Sequence, residues 1–164
     1  IVASVVPEQT AMWREYSNVN IIEISDIPIN NLYFNMGIDR ALAVFGAGIT
    51  YSFPCLVIDA GTALTFTGVD QHSTFIGGAI LPGLKLQFDS LSNKIQTLPN
   101  VDFPKRLPCQ WSGNTMEAIK SGIIYTIVSG IKTFIDNWLI SYPRSHIILT
   151  GGDSIILYLS LIHI

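Results

Sequence analysis

The strongest constraint on the fold comes from residues 55–69, CLVIDAGTALTFTGV, which predict two strands joined by a tight turn. Cys55–Ile58 form an apolar run typical of a strand buried on both faces. Asp-Ala-Gly-Thr follows, with a glycine that favours a turn, and Ala63–Val69 then alternate like an antiparallel partner. Because a third run, Thr74–Leu81, continues the pattern, the sequence predicts a three-stranded meander.

Segments with helical periodicity lie before and after this meander in the sequence. Ile38, Leu42 and Phe45 recur at helical spacing and glycines follow them, which predicts a helix that ends at Phe45. Pro82 is expected to open a second helix. A much longer helix is expected to begin near Asn114 or Thr115. Its apolar stripe consists of Met116, Ile119, Ile123, Ile127, Ile131, Phe134 and Trp138.

The two ends of the chain carry weaker patterns. Val2–Val6 and Val19–Ile24 resemble strands, and a short helix is expected between them, from Pro7 to Tyr16. Near the other end, HIILTGGD reads as a strand that enters a glycine turn before another short helix. Mixed strands followed by helices indicate an α/β layered fold.

Composition and charge limit the kinds of partner that we expect for this protein. A net charge of −3 and few basic residues leave no patch for a nucleic acid backbone, so nucleic acid is not an expected partner. The long apolar helix contains Lys120, Lys132 and Asp136, which are costly inside a bilayer, so we expect a core helix and no membrane span. Cys55 and Cys109 fit no metal-ligand spacing and are expected to be buried thiols of a reduced, cytoplasmic protein.

Two predicted strands end in a similar polar pattern of aspartate and glycine, in VIDAGT and LTGGD. Glycine lets backbone N–H groups approach a phosphate, and an aspartate there can hold a cation, so both turns could bind a nucleotide. The alternative is that they are ordinary turns without a ligand.

The segment Gly37-Ile38-Asp39-Arg40 allows two interpretations as well. Asp39 at a helix start is commonly an N-cap, with the following arginine in solvent. Alternatively, Asp39 and Arg40 on a glycine turn could hold a hydroxyl and a carboxylate of one small substrate, with the helix N-terminus stabilising the aspartate charge.

Taken together, these motifs are similar to those of one enzyme family. YFNMGIDRALAVFGA, LVIDAGTALTFTGVD, FIGGAILPGLKLQFDSL, GNTMEAIKSGI and LTGGD, in this order, resemble the type III pantothenate kinases of the acetate and sugar kinase, Hsp70 and actin superfamily. The resemblance implies ATP-dependent phosphorylation of pantothenate, the first committed step towards coenzyme A. It also implies a ribonuclease H-like, actin-like ATPase fold, in which residues 1–50 belong to an incomplete N-terminal lobe and residues 51–164 to the C-terminal lobe.

The resemblance also implies roles for single residues. Asp39 would be the proton acceptor for the primary hydroxyl of pantothenate. The other pantothenate-binding positions would be Tyr33, Gly37, Ile38, Arg40 and Thr115. Pantothenate pockets in this family draw on both subunits, so a homodimer is expected, with the long helix and its apolar Ile124 and Val128 as interface candidates. The alternative is that Ile124 and Val128 contact the missing part of the N-terminal lobe.

On the nucleotide side, the resemblance implies that Asp59 coordinates a monovalent cation, potassium or ammonium, and that Thr62 contacts ATP, which also needs magnesium. Further ATP-binding positions would be Gly61, Gly151 and Gly152, followed by Asp153. The second glycine segment of the family corresponds to Gly77, Gly78, Pro82 and Gly83, either at the site or as tight backbone packing.

One family motif does not occur in these residues. The Asp-x-Gly-Asn-Thr phosphate loop is absent, so we expect it to precede Ile1, the chain to be truncated at both ends, and residues 1–164 alone to phosphorylate poorly. The loss is also compatible with a non-catalytic regulator or transcriptional activator that keeps the kinase fold. A third possibility is another small-molecule kinase of the superfamily, but the Gly-Ile-Asp-Arg turn favours pantothenate.

Overall fold

Apart from the two strands predicted near the N-terminus, the secondary structure follows the predicted order of elements. A computed structural model describes residues 1–104 and 106–161. The helices are α1 (Pro7–Arg14), α2 (Ile38–Tyr51), α3 (Leu84–Lys94), α4 (Thr115–Ser141) and α5 (Ser154–Leu161). The strands are β1 (Cys55–Ala60), β2 (Ala63–Val69), β3 (Phe75–Pro82) and β4 (His146–Thr150).

The four strands form one mixed sheet flanked by helices, in the order β3-β2-β1-β4. The predicted meander is confirmed, since β1, β2 and β3 are neighbours in sequence order. β1 and β2 are buried along nearly their whole length, whereas the edge strand β3 alternates between half-buried and exposed residues. β4 joins beside β1 after the long α4.

Two compact units divide the described residues. The first comprises residues 1–57, 67–78 and 144–148, and the second comprises residues 58–66, 79–143 and 149 onward. The core of the first unit joins α2 to the loop before it and to β1. Its buried residues are Ile27, Ile29, Met36, Ile38, Ala41, Val44, Ala47, Cys55, Val57 and Val69. The predicted lobe boundary between residues 50 and 51 stays a prediction.

In the second unit, α4 lies against both α3 and α5. Its buried residues are Ser121, Ile123, Ile124, Ile127, Val128 and Ile131. Ile124 and Val128 are fully buried within the chain, so the interpretation of them as interface positions is wrong. The helix begins at Thr115, as predicted, and Asn114 caps it, with its Oδ1 accepting the backbone N–H of Glu117 at 3.0 Å.

By length and composition alone, α4 is also apolar enough to cross a membrane. This is weak support for a span, because the core helix of a soluble protein passes the same test. Its central isoleucines are buried, but only 33% of the apolar window is, so the core helix without a membrane span stays a prediction.

Several boundaries differ from the sequence predictions. The runs predicted as strands near the N-terminus form a single parallel bridge, Val2 to Ile21, and Val5 is exposed, because apolar composition alone does not supply a pairing partner. α2 continues past its glycines to Tyr51, since Gly48 leaves room for the ring of Phe53. The first helix ends at Arg14 rather than Tyr16.

Two further predictions, those for Pro82 and Cys109, are wrong. Pro82 ends β3 and does not open the following helix, whose N-cap is Gly83. Cys55 is buried as predicted, and burial raises the pKa of its thiol to about 11, but Cys109 is exposed.

Candidate functional site

The first group of candidate residues lies at the N-terminus of α2. Gly37 is the N-cap, so the interpretation of Asp39 as the cap is wrong in position. Asp39 sits in the first helical turn, exposed to solvent, and its Oδ1 accepts the backbone N–H of Arg40 at 2.8 Å. Ile38 is buried in the core and fixes this turn. An exposed carboxylate therefore stands at the positive end of a 14-residue helix.

Arg40 is buried, with 7% of its surface exposed, which contradicts the interpretation of a solvated arginine. Its Nη1 donates to the Tyr33 hydroxyl at 2.7 Å, and its Nε donates to Oγ1 of Thr67 at 3.3 Å. The guanidinium is therefore held at two of its edges by hydroxyl groups.

Tyr33 belongs to a loop that is fastened to the sheet. Asn30 N donates to the Ser73 carbonyl at 2.8 Å, and Phe75 N donates to the Asn30 carbonyl at 2.9 Å. The rings of Tyr33 and Phe75 are 5.7 Å apart. Tyr33 remains 41% exposed, so the buried Arg40 is hydrogen-bonded to a residue that reaches the protein surface.

The second group surrounds the end of β1. Asp59 is half-buried at the penultimate position of this strand, and Gly61 and Thr62 form the turn to β2. The Gly61 N–H donates to the Ala63 carbonyl at 3.1 Å, which closes the turn, and Thr62 is exposed. The predicted turn is confirmed, with its threonine towards solvent.

Two other glycines meet this turn at close range. Gly83 N donates to the Thr62 carbonyl at 2.9 Å, and a Cβ at Gly83 would overlap the carbonyl oxygens of Gly61 and Thr62. Gly151 has a φ of +93°, and a Cβ there would lie 2.5 Å from the Ala60 carbonyl and from Oδ1 of Asp59. The Gly83 and Gly151 segments therefore pack against the turn that follows Asp59, where side chains would not fit.

Asp153 takes part in this packing as well. Its backbone N–H donates to the Ala60 carbonyl at 2.9 Å, which fastens the turn after β4 to the end of β1. Burial raises the pKa of the Asp153 carboxyl above its ordinary value. Asp153 also lines a cleft of about 480 Å³ with Lys85, Asp89 and Asp102. At Gly152, by contrast, a Cβ would meet no atom within 4 Å.

Thr115 is the first residue of α4 and is exposed. It lines a cleft of about 610 Å³ together with Leu91 and Ile119. No hydrogen bond described in residues 1–104 and 106–161 links Thr115 to the Asp59 turn. Within the second unit, the structure thus brings Asp59, Gly61, Thr62 and the 151–153 turn together and does not join Thr115 to them.

The groups at this turn that could hold a cation are oxygens. One carboxylate stands among backbone carbonyls, and the Ala60 and Thr62 carbonyls each keep a second lone pair after accepting a hydrogen bond. Within the described part of the chain, no three His, Cys, Asp or Glu side chains are grouped to hold a metal. Magnesium needs few protein ligands when it is bound to a nucleotide, so these residues are compatible with it as well.

Comparison with known proteins identifies the family. The sequence profile described as type III pantothenate kinase matches residues 1–137. The chain belongs to this family.

Individual relatives agree with the assignment. A type III pantothenate kinase of Nostoc sp. is 51% identical over 158 residues, which cover 95% of this chain and 57% of the relative. That of Synechocystis sp. is 45% identical, with coverage of 96% and 62%. The chain thus spans about three fifths of the length of these type III pantothenate kinases.

A solved structure has the same fold over most of the chain. It is a Campylobacter jejuni protein assigned to the Baf family of transcriptional activators, with a TM-score of 0.63 and 25% identity. The match covers 93% of this chain and 67% of that one.

Thr67 was not recognised as a site residue from the sequence. It is 27 residues from Arg40, and its position in β2 resembles that of any threonine in an alternating strand. The only available signal was that a threonine occupies a strand predicted to be buried, where a hydroxyl needs a partner.

Proposed function

We propose that the protein carrying this chain phosphorylates pantothenate to 4′-phosphopantothenate with ATP, the first committed step of coenzyme A biosynthesis. The observation that carries the proposal is membership of the type III pantothenate kinase family over residues 1–137. The exposed Asp39 carboxylate beside a buried, oriented Arg40 supports it, because a kinase for a small alcohol needs a group that positions the hydroxyl.

On the substrate side, Asp39 accepts the proton of the pantothenate hydroxyl. A weak base is sufficient, since the transition state of phosphoryl transfer is loose and little proton abstraction is required early. Gly37, Ile38 and Arg40 form the turn that receives pantothenate, Tyr33 contributes its hydroxyl, and Thr115 supplies a further contact.

On the nucleotide side, Asp59 holds a potassium or ammonium ion, and Gly61, Thr62, Gly151 and Gly152 receive ATP. When bound, ATP supplies the phosphoryl group, and magnesium and the monovalent cation supply positive charge. Support comes from the close packing of the Gly83 and Gly151 segments against the turn after Asp59, which keeps this carboxylate among backbone groups. The resemblance to the family extends the proposal to an actin-like ATPase fold with lobes at 1–50 and 51–164.

We also propose a cytoplasmic homodimer. With Ile124 and Val128 buried, the candidates for subunit contacts on α4 are its exposed apolar residues Met116, Phe134 and Ile140. Sedimentation would detect the dimer, and a monomer would contradict it.

A regulator is the second candidate, favoured by the structural similarity to a Baf family protein. Such a protein would need no base and no cation site. The net charge of −3 gives it little electrostatic attraction to DNA.

The test is formation of 4′-phosphopantothenate, followed by mass spectrometry, with ATP, magnesium and pantothenate. The protein should include the Asp-x-Gly-Asn-Thr hairpin that the family resemblance leads us to expect. We expect product, stimulation by potassium, and loss of that stimulation in Asp59→Asn. Absence of product under all cation conditions, with pantothenate unbound in calorimetry, would instead favour the regulator.

A further inference from the structure

We propose that Thr67 is a positioning residue, which orients Arg40 and through it the Tyr33 hydroxyl that donates to pantothenate. This inference rests on the proposed function for its ligand. It depends on a hydrogen-bonded series of three side chains, Thr67, Arg40 and Tyr33, which lie in the first compact unit.

The direction of these hydrogen bonds follows from chemistry. A guanidinium has only donors, so the oxygens of Thr67 and Tyr33 must both accept from Arg40. The Tyr33 proton therefore points away from Arg40. Because Tyr33 is 41% exposed, that proton can be offered to a ligand oxygen, such as a hydroxyl, amide or carboxylate oxygen of pantothenate.

Burial explains why Thr67 matters for this alignment. Arg40 and Thr67 are 7% and 2% exposed, so water does not readily replace the Thr67 hydroxyl. The Nε bond to Thr67 and the Nη1 bond to Tyr33 fix two edges of one rigid plane. Loss of the Nε bond removes one of the contacts that orient this plane, which shifts the Tyr33 hydroxyl from its donating position.

The test compares Thr67→Val with Thr67→Ser and with Thr65→Val. Valine has the shape of threonine without its hydroxyl, and serine keeps the hydroxyl. Thr65 is a second buried threonine, two residues earlier on β2, and no described hydrogen bond links it to Arg40. It therefore controls for the general effect of the substitution on the strand.

The first readout requires no substrate. Hydrogen exchange at the Arg40 Nε–H, followed by NMR, should be about tenfold faster in Thr67→Val, because the lost bond to a charged donor corresponds to about one order of magnitude. The chain has four arginines, Arg14, Arg40, Arg106 and Arg144, so the signal can be assigned by substitution. Unchanged exchange would overturn the proposal.

The second readout is pantothenate affinity. Thr67→Val should raise the Kd and KM for pantothenate about tenfold and leave the KM for ATP unchanged, whereas Thr67→Ser and Thr65→Val should stay near the wild-type values. Faster exchange with unchanged pantothenate affinity would also overturn the proposal. If the wild-type protein binds no pantothenate, the proposed function fails, and the exchange measurement still decides whether Thr67 orients Arg40.

Discussion

Gly151 is the residue whose backbone most strictly limits substitution. Its φ of +93° is unfavourable for other residues, and a Cβ would lie 2.5 Å from the Ala60 carbonyl. We predict that Gly151→Ala lowers the free energy of unfolding by about 1–3 kcal/mol or more. Gly152→Ala, with open space around it, should change it by less than about 0.5 kcal/mol. Urea denaturation measures both, and equal effects would contradict the close packing of the Gly151 segment against the turn after Asp59.

Asp153 gives a pH-dependent prediction. Burial raises its pKa in the folded state, so the folded protein binds this proton more tightly than the unfolded chain. The associated stability is present below the ordinary aspartate pKa and is lost as pH rises through the folded-state pKa. Asp153→Asn should therefore unfold at a higher temperature than the wild type at pH 7, and the difference should shrink towards pH 3. A wild type more stable than the variant at pH 7 would show a favourable role for the charge.

Single residues were predictable where their neighbours are close in sequence. The Asp39 turn and the Asp59 turn were located from glycine and aspartate spacing, and both are turns or helix starts in the structure. The burial of Arg40 and its bond to Thr67 could not be predicted, because a contact across 27 residues leaves no local spacing signal.

Among the elements, α4 shows most clearly which apolar positions stabilise the fold. Ile124 has no exposed surface, while Ile140 on the same helix is 78% exposed. We predict that Ile124→Ala lowers the free energy of unfolding by about 2–5 kcal/mol. Ile140→Ala should change it by no more than about 0.5 kcal/mol, as measured by urea denaturation. A small effect at Ile124 would contradict the close packing around this buried side chain.

The ends of elements depended on tertiary contacts more than on sequence pattern. The β1–β2 hairpin was located correctly because alternation and a short turn are local features. The end of α2 was misplaced, since Gly48 packs against Phe53 instead of ending the helix. Val2–Val6 failed as a strand because a strand also requires a partner.

At the scale of the whole molecule, the element order was sufficient to predict an α/β layered fold. The position of β4 beside β1 could not be predicted, because it depends on how a 27-residue helix returns the chain to the sheet. Family motifs compensated for this gap, since their order along the chain identified the type III pantothenate kinases that the sequence profile also matches.

The most direct test of the proposed mechanism is a substitution of Asp39 in the protein that carries this chain. Asn keeps an oxygen that can accept the Arg40 N–H but cannot take the substrate proton. We predict that Asp39→Asn lowers kcat for pantothenate phosphorylation about 100-fold, with pantothenate still bound in calorimetry. Asp136→Asn, an exposed change on α4, should keep the wild-type rate. Wild-type turnover in Asp39→Asn, with binding intact, would contradict the assignment of the base.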